Sequence, residues 1–250
     1  MLKTQAEEVI KCCNSFNYFC DNYVKIFHPT KGLVPFKLLP WHKRLGDALE
    51  ENRFLITTKW RQGGLATTTI AYCLWLCTFH LDKRVLWLST DANRQSSSES
   101  FRLMLKLLPD WMRPKLEIDN VSAKNFSETG SEIRFWTPEP ACGKAATHFV
   151  IDEASFIPDM ECNWKCLWPL LSTGGKCYIL STTTDLSEKN DGYWFFETYQ
   201  KAVKNQNYFY VFKSDYKESP EYKDPDFAKH LREALGEKQW QIEVEGSFLL

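Results

Sequence analysis

The sequence has no apolar run approaching the roughly 18 to 20 residues that cross a bilayer, so a membrane-spanning helix is excluded. Its opening stretch, MLKTQAEEVIKCC, lacks the apolar h-region of a secretory leader, and a soluble, unsecreted chain is expected. Glycine and proline are sparse, 11 of each in 250 residues, and they do not cluster into a linker. With no internal repeat either, one domain is the default. No CxxC pair begins a zinc site, and nine cysteines, an odd number in a chain of this size, argue against a disulfide framework. An excess of either charge is also missing: 31 Lys and Arg face 32 Asp and Glu. That excludes a general cationic coat, so any contact with nucleic acid would need a local patch.

What is present is an ordinary globular balance, 44% hydrophobic and 25% charged, which excludes disordered and low-complexity classes. Ten Trp, ten Tyr and 17 Phe imply a tightly packed interior. Cys73 and Cys77, and likewise Cys162 and Cys166, stand at i, i+4; both pairs are expected to be small, reduced core residues.

From about residue 50 short β-rich runs alternate with helical patterns, the mark of a sheet flanked by helices. Strands are expected at 54–58, 84–89, 131–136, 148–151, 176–182 and 207–213. Helices are expected at 66–80, to about 108 after a Ser-rich start, at 160–171 and 192–202, and in the polar tail from 226. Residues 1–45 read as a helix followed by the Pro-bounded segment Leu33 to His42.

Three motifs occur in an informative order. Thr57 to Thr68 reads as strand, loop and helix, and a loop entering a helix N-terminus offers unpaired N–H groups and the positive dipole end to phosphate. The phosphate-loop consensus GxxxxGK[ST] is met only at Gly64: Lys59 takes the first-glycine position, Leu65 the lysine position and Ala66 the hydroxyl position. A Gly-Gly turn is commonly plain connectivity, but such a turn has no need of the cations Lys59 and Arg61. About 90 residues on, Phe149-Val-Ile-Asp-Glu-Ala154 has a hydrophobic strand ending in Asp152 and Glu153. An Asp there holds Mg²⁺ and a Glu activates water, the Walker B arrangement; two solvated acids are the bland alternative. Finally Tyr178 to Asp185 ends a strand in the hydroxyls Ser181, Thr182 and Thr183, which suit a γ-phosphate sensor. All three fall at C-terminal strand ends, where open α/β sheets bind ligands.

These residues resemble the ATPase domain of the large terminase subunit, the DNA-packaging motor of tailed bacteriophages. Lys59-Trp-Arg-Gln-Gly-Gly-Leu-Ala-Thr67 resembles its deviant Walker A, Val150 to Pro158 its Walker B, and Ser181-Thr-Thr-Thr184 its coupling motif. Phe36 to Arg44 is similar to its upstream adenine-contacting segment, with His42 in place of the usual Gln, and Trp240-Gln-Ile-Glu243 is similar to the close of the domain. The likeness runs from about 33 to 245.

The resemblance implies an α/β P-loop NTPase fold of the ASCE/RecA-like type, a mainly parallel central sheet flanked by helices. It implies residues 1–45 as a helical, adenine-contacting segment packed on an ATPase core of 46–250, with a C-terminal nuclease domain expected to be absent. ATP and Mg²⁺ are the implied cofactors. Gln62, Gly63, Gly64, Leu65, Ala66 and Thr67 would cradle phosphates, with Lys59 or Arg61 as the cation; Arg61 and Glu153 are the catalytic candidates. Asp152 would hold the metal, Thr67 replacing the hydroxyl that Ala66 lacks, and Trp41 and His42 would lie near adenine. Lys144, in Cys142-Gly143-Lys144, stands where the family often has an Arg that acts on a neighbouring subunit. Such a finger is worth several powers of ten in rate, so weak ATPase activity and no DNA cleavage are expected of this chain alone. Double-stranded DNA, the portal of the procapsid, the small terminase subunit and a homo-oligomeric ring, expected as a pentamer, are the implied partners, in the host cytoplasm. A helicase-like nucleic-acid ATPase and a nucleotide-binding scaffold with little turnover are the competing readings.

Overall fold

The computed structural model describes residues 3–141, 143–187 and 190–249. The chain opens with α1 (Lys3–Asn14) and α2 (Phe16–Tyr23), separated by Ser15, whose hydroxyl accepts the Tyr18 N–H at 3.1 Å and caps the second helix. A two-stranded antiparallel hairpin, β1 (Lys25–His28) and β2 (Gly32–Pro35), leads to α3 (Pro40–Glu51), which starts on a proline. This differs from the expected single helix and Pro-bounded segment over 1–45. The hairpin strands escape that expectation because they alternate exposed with half-buried residues and bury no full face.

The sheet follows. β3 (Phe54–Thr58) feeds α4 (Leu65–Phe79), β4 (Arg84–Leu88) feeds α5 (Asp91–Lys106), and an antiparallel excursion runs through β5 (Leu116–Asp119), β6 (Ala123–Phe126) and β7 (Glu132–Trp136). After the short α6 (Pro138–Ala141) come β8 (His148–Asp152), α7 (Met160–Leu167), β9 (Lys176–Ser181), α8 (Gly192–Val203), β10 (Tyr210–Val211), α9 (Pro225–Leu235) and α10 (Glu237–Glu243). The eight strands lie in the order β10-β3-β9-β8-β4-β7-β6-β5, parallel from β10 to β7.

Period-two alternation along each central strand divides the core into two layers. Leu55, Val85, Trp87, Val150, Tyr178 and Leu180 face one layer, shared with α4 and the N-terminal helices. Ile56, Leu86, Leu88, Phe149, Ile151, Cys177 and Ile179 face the other, shared with α7 and α8. α4 is apolar on nearly every side, and its only indole, Trp75, donates to the Cys12 carbonyl at 2.7 Å, tying the first helix to the sheet.

Several boundaries differ from expectation for local reasons. The helix expected to reach Leu171 stops at Leu167, because Pro169 lies two residues on, and the chain continues as 3₁₀ turns to Gly174 (φ 101°). Within α7 the buried residues are Met160, Asn163 and Leu167, a spacing that turns Cys162 and Cys166 outward; both are exposed, whereas Cys73 and Cys77 are buried as expected. The last strand is only Tyr210–Val211, since it pairs with Leu55 and Ile56 alone.

Candidate active site

The loop between β3 and α4 leaves the sheet at Thr58 and returns to helix at Leu65. Gln62 (φ 62°) and Gly64 (φ 73°) both take the left-handed conformation that folds it back on itself. Gly64 has no room for a side chain: a Cβ there would sit 2.6 Å from His42 Nε2. It is the N-cap of α4, so the N–H groups of the next three residues, Leu65, Ala66 and Thr67, lack helical partners. Leu65 is buried in the apolar core, which explains why the usual lysine position carries no cation.

The loop rests on α3. Trp41 Nε1 donates to the Gly63 carbonyl at 2.8 Å, and His42 Nε2 stands 2.9 Å from the same oxygen. The Leu39 N–H donates to His42 Nδ1 at 3.3 Å, so the proton belongs on Nε2 and the imidazole is neutral; burial moves its pKa below the ordinary value. Both side chains are buried beneath the loop with their polar atoms already used.

Lys59 is the cation that reaches the acids. Its Nζ lies 2.6 Å from Asp152 Oδ1 and 2.9 Å from Glu153 Oε1, and its side chain is buried. Burial alone would depress its pKa, but the attraction of Asp152 and Glu153 outweighs it and holds the ammonium above its ordinary value. Glu153 is likewise pushed up by burial, yet Lys59 and the Thr182 bonds prevail and keep it below the usual carboxylate range. For Asp152 burial prevails, with repulsion from Glu153, over the pull of Lys59.

Glu153 adopts φ 55°, ψ 46°, an unusual conformation for a long side chain, and one oxygen is fixed by Thr182 through its N–H and its hydroxyl, each at 3.1 Å. The third motif is therefore joined to the second. Ser181 Oγ accepts the Ser155 N–H at 3.0 Å, and Ser155 Oγ donates to the Thr182 carbonyl at 3.0 Å. Thr183 turns away, donating to the Ile242 carbonyl at 3.0 Å. Sequence reasoning did not single out Ser155, nor Ser89, whose hydroxyl donates to the Asp152 carbonyl at 2.9 Å; a serine after each strand was the only available signal.

Arg61 is not part of this cluster. Its guanidinium is paired with the Glu243 carboxylate, while its N–H donates to the Glu243 carbonyl at 2.7 Å. Lys144 is exposed, and Cys142, two residues before it, lies outside the described residues. Of the threonines opening α4, Thr68 and Thr69 bond back to Gly64 and Leu65, whereas Thr67 is half-buried and makes no such bond among the described residues. No group of three or more His, Cys, Asp or Glu side chains converges among the described residues. Asp152 and Glu153 present hard carboxylate oxygens of the kind Mg²⁺ takes, and both are engaged by Lys59.

A glycine-bearing loop after β3, an acid pair after β8 and the intervening β9 between those two strands define an α/β P-loop NTPase fold with an additional central strand. More narrowly, the fold is that of the ATPase domain of phage large terminases. No family model matches the sequence. The ATPase domain of the Thermus phage P74-26 large terminase aligns with a TM-score of 0.62 at 14% identity, over 82% of this chain and 93% of that one. The large terminase of a thermophilic bacteriophage, in complex with ATP-γ-S, aligns with a TM-score of 0.63 at 11% identity over 85% of this chain. That of bacteriophage HK97 has the same TM-score at 12% identity over 92%. This chain spans about half of each of the last two, 53% of their lengths.

Proposed function

We propose that this chain is the ATPase module of a phage large terminase subunit, hydrolysing ATP to move double-stranded DNA into a procapsid. The observation that carries the reading is the Lys59–Asp152–Glu153 cluster at the C-terminal edge of a sheet with this strand order. A scaffold that merely holds nucleotide has no use for a half-buried, ionised carboxylate oriented by two bonds from the residue that follows β9.

In this reading the backbone from Gln62 to Thr67 receives the phosphates, which draw the Lys59 ammonium away from the acids. Asp152 and Thr67 would hold Mg²⁺. The metal, when bound, offsets charge that develops on the phosphates. Glu153, released from Lys59 and still held by Thr182, accepts the proton of the attacking water. Loss of the γ-phosphate is relayed from Thr182 through Ser155 to the helix that follows β8. Trp41 and His42 serve as props of the loop. Lys144 serves a neighbouring subunit, so an isolated chain turns over slowly. The working form is a homo-oligomeric ring on the portal, fed by the small terminase subunit in the host cytoplasm.

The test is phosphate release by the wild type and Glu153→Gln at rising protein concentration, with ATP binding measured separately. The variant is expected to keep ATP binding and lose at least about a hundredfold in rate. Equal rates in both would instead favour the scaffold.

A further inference from the structure

Away from the nucleotide loop, α7, α8 and the segment before β10 enclose an open groove of about 990 Å³, at the upper end of ligand-pocket sizes, roughly 300 to 1,000 Å³. Its wall is a continuous ridge of rings. Trp194 lies 5.4 Å from Trp164, Trp164 lies 5.3 Å from Trp168, and Trp168 is stacked on Tyr208 at 6.2 Å with a 16° interplanar angle. Tyr208 is 77% exposed and Trp168 37%, and none of the three indole N–H groups finds an acceptor among the described residues. A core does not leave such a ridge in water, and indole N–H groups at a surface like this one can donate to a bound partner.

The charges of the groove are equally specific. Lys165 and Lys201 are each matched by a glutamate one turn away, Glu161 at 2.9 Å and Glu197 at 3.7 Å. Asp159 and Asp191 adjoin, the Asp159 N–H donating to Asp191 Oδ1 at 3.4 Å, and neither makes an ion pair among the described residues. Among the described residues, that part of the groove carries two carboxylates with no cation paired to them.

We propose that this groove is a docking site for an extended, proline-rich segment of a partner protein that carries arginine. A polyproline II segment leaves its carbonyls unbonded, to be taken by the indole N–H groups, and its prolines lie on aromatic ridges. The acids cap the N-termini of α7 and α8 at the Trp194 end, whereas the exposed rings Trp168 and Tyr208 stand at the other end, so one arginine of the segment lies over the rings and a second pairs with Asp159 and Asp191. Single-stranded nucleic acid also stacks on such ridges, but its phosphates would meet these carboxylates. The site is independent of the nucleotide chemistry proposed above, so either claim can fail alone.

The experiment titrates the full chain with a synthetic proline-rich decapeptide carrying two arginines, its glutamate-substituted counterpart and oligo(dT), read by calorimetry. The arginine peptide is expected to bind about tenfold or more tighter than the glutamate peptide. Asp159→Asn, chosen because asparagine tolerates the φ of 49° there, and the exposed-site variant Tyr208→Ala should each weaken binding several-fold, with folding checked by circular dichroism. Equal affinity for both peptides, or no loss in either variant, overturns the proposal. So do tighter binding of oligo(dT) and self-association of the chain that Tyr208→Ala abolishes.

Discussion

The ammonium of Lys59 stands 2.6 Å from a carboxylate oxygen of Asp152, and both side chains are buried. In the absence of nucleotide each is the other's reason for remaining charged. Breaking a buried pair by removing one member leaves the other uncompensated, at a cost of about 3 kcal/mol. Lys59→Met should lower stability by about that amount in chemical denaturation. Adding Asp152→Asn should recover part of the loss, and strict additivity of the two substitutions would show that the pair is not coupled.

Thr182 fixes Glu153 from two directions, and only one of its bonds uses the hydroxyl. Thr182→Val keeps the backbone bond and the shape but frees the carboxylate to swing. Steady-state phosphate release should show kcat reduced by about tenfold with KM little changed, the pattern of an interaction that matters in the transition state. A raised KM with intact kcat would mean that Thr182 contributes to substrate binding instead.

The backbone at Gly64 is left-handed and closed off by the His42 imidazole. Gly64→Ala therefore adds both backbone strain, about 1 kcal/mol or more, and a steric conflict. ATP affinity, measured by equilibrium binding, should fall. Combining it with His42→Ala relieves the conflict but not the strain, so recovery should be partial.

Arg61 and Lys59 occupy one loop, but Arg61 faces Glu243 at the surface. Exposed pairs contribute little, about 0 to 1 kcal/mol, so Glu243→Gln should leave stability nearly unchanged. If Arg61 supplies charge to phosphate, that substitution should raise ATP affinity and Arg61→Ala should lower it. No change in either would leave the role to Lys59 alone.

His148 opens β8 in a buried position, and burial, together with Lys176, Lys83 and His80, pushes its pKa down to about 3. Between that value and the unfolded imidazole's, about 6.5, the unfolded chain takes up a proton that the native chain refuses. This contribution is fully present above about pH 6.5 and is lost progressively as pH falls toward 3. His148→Asn should flatten that part of a plot of melting temperature against pH.

The central strands were legible because burial on both faces demands near-continuous apolar runs, as in Phe54 to Thr58 and His148 to Ile151. The strands of the β5–β6 hairpin were not: Leu116–Asp119 is largely exposed, and Ala123–Phe126 encloses Lys124, a buried lysine whose Nζ reaches Ser98 at 3.2 Å. No local pattern announces a lysine satisfied from another element. At the site, the residue types and their order were readable, but orientation was not. Trp41 and His42 arrive at the loop from below, and Arg61 leaves it for Glu243, because distant hydrogen bonds decide both.

Residues 242 and 243 hold two different parts of the site at once: Ile242 takes the Thr183 hydroxyl, and Glu243 takes Arg61 by backbone and side chain. A pull applied at this one helical turn would be felt on both flanks of a bound phosphate before it reached the sheet. If the chain turns over ATP under load as proposed, mechanical load and chemical turnover would share this single point of leverage, and a force-clamp attached near α10 is where tension would slow or hasten the cycle.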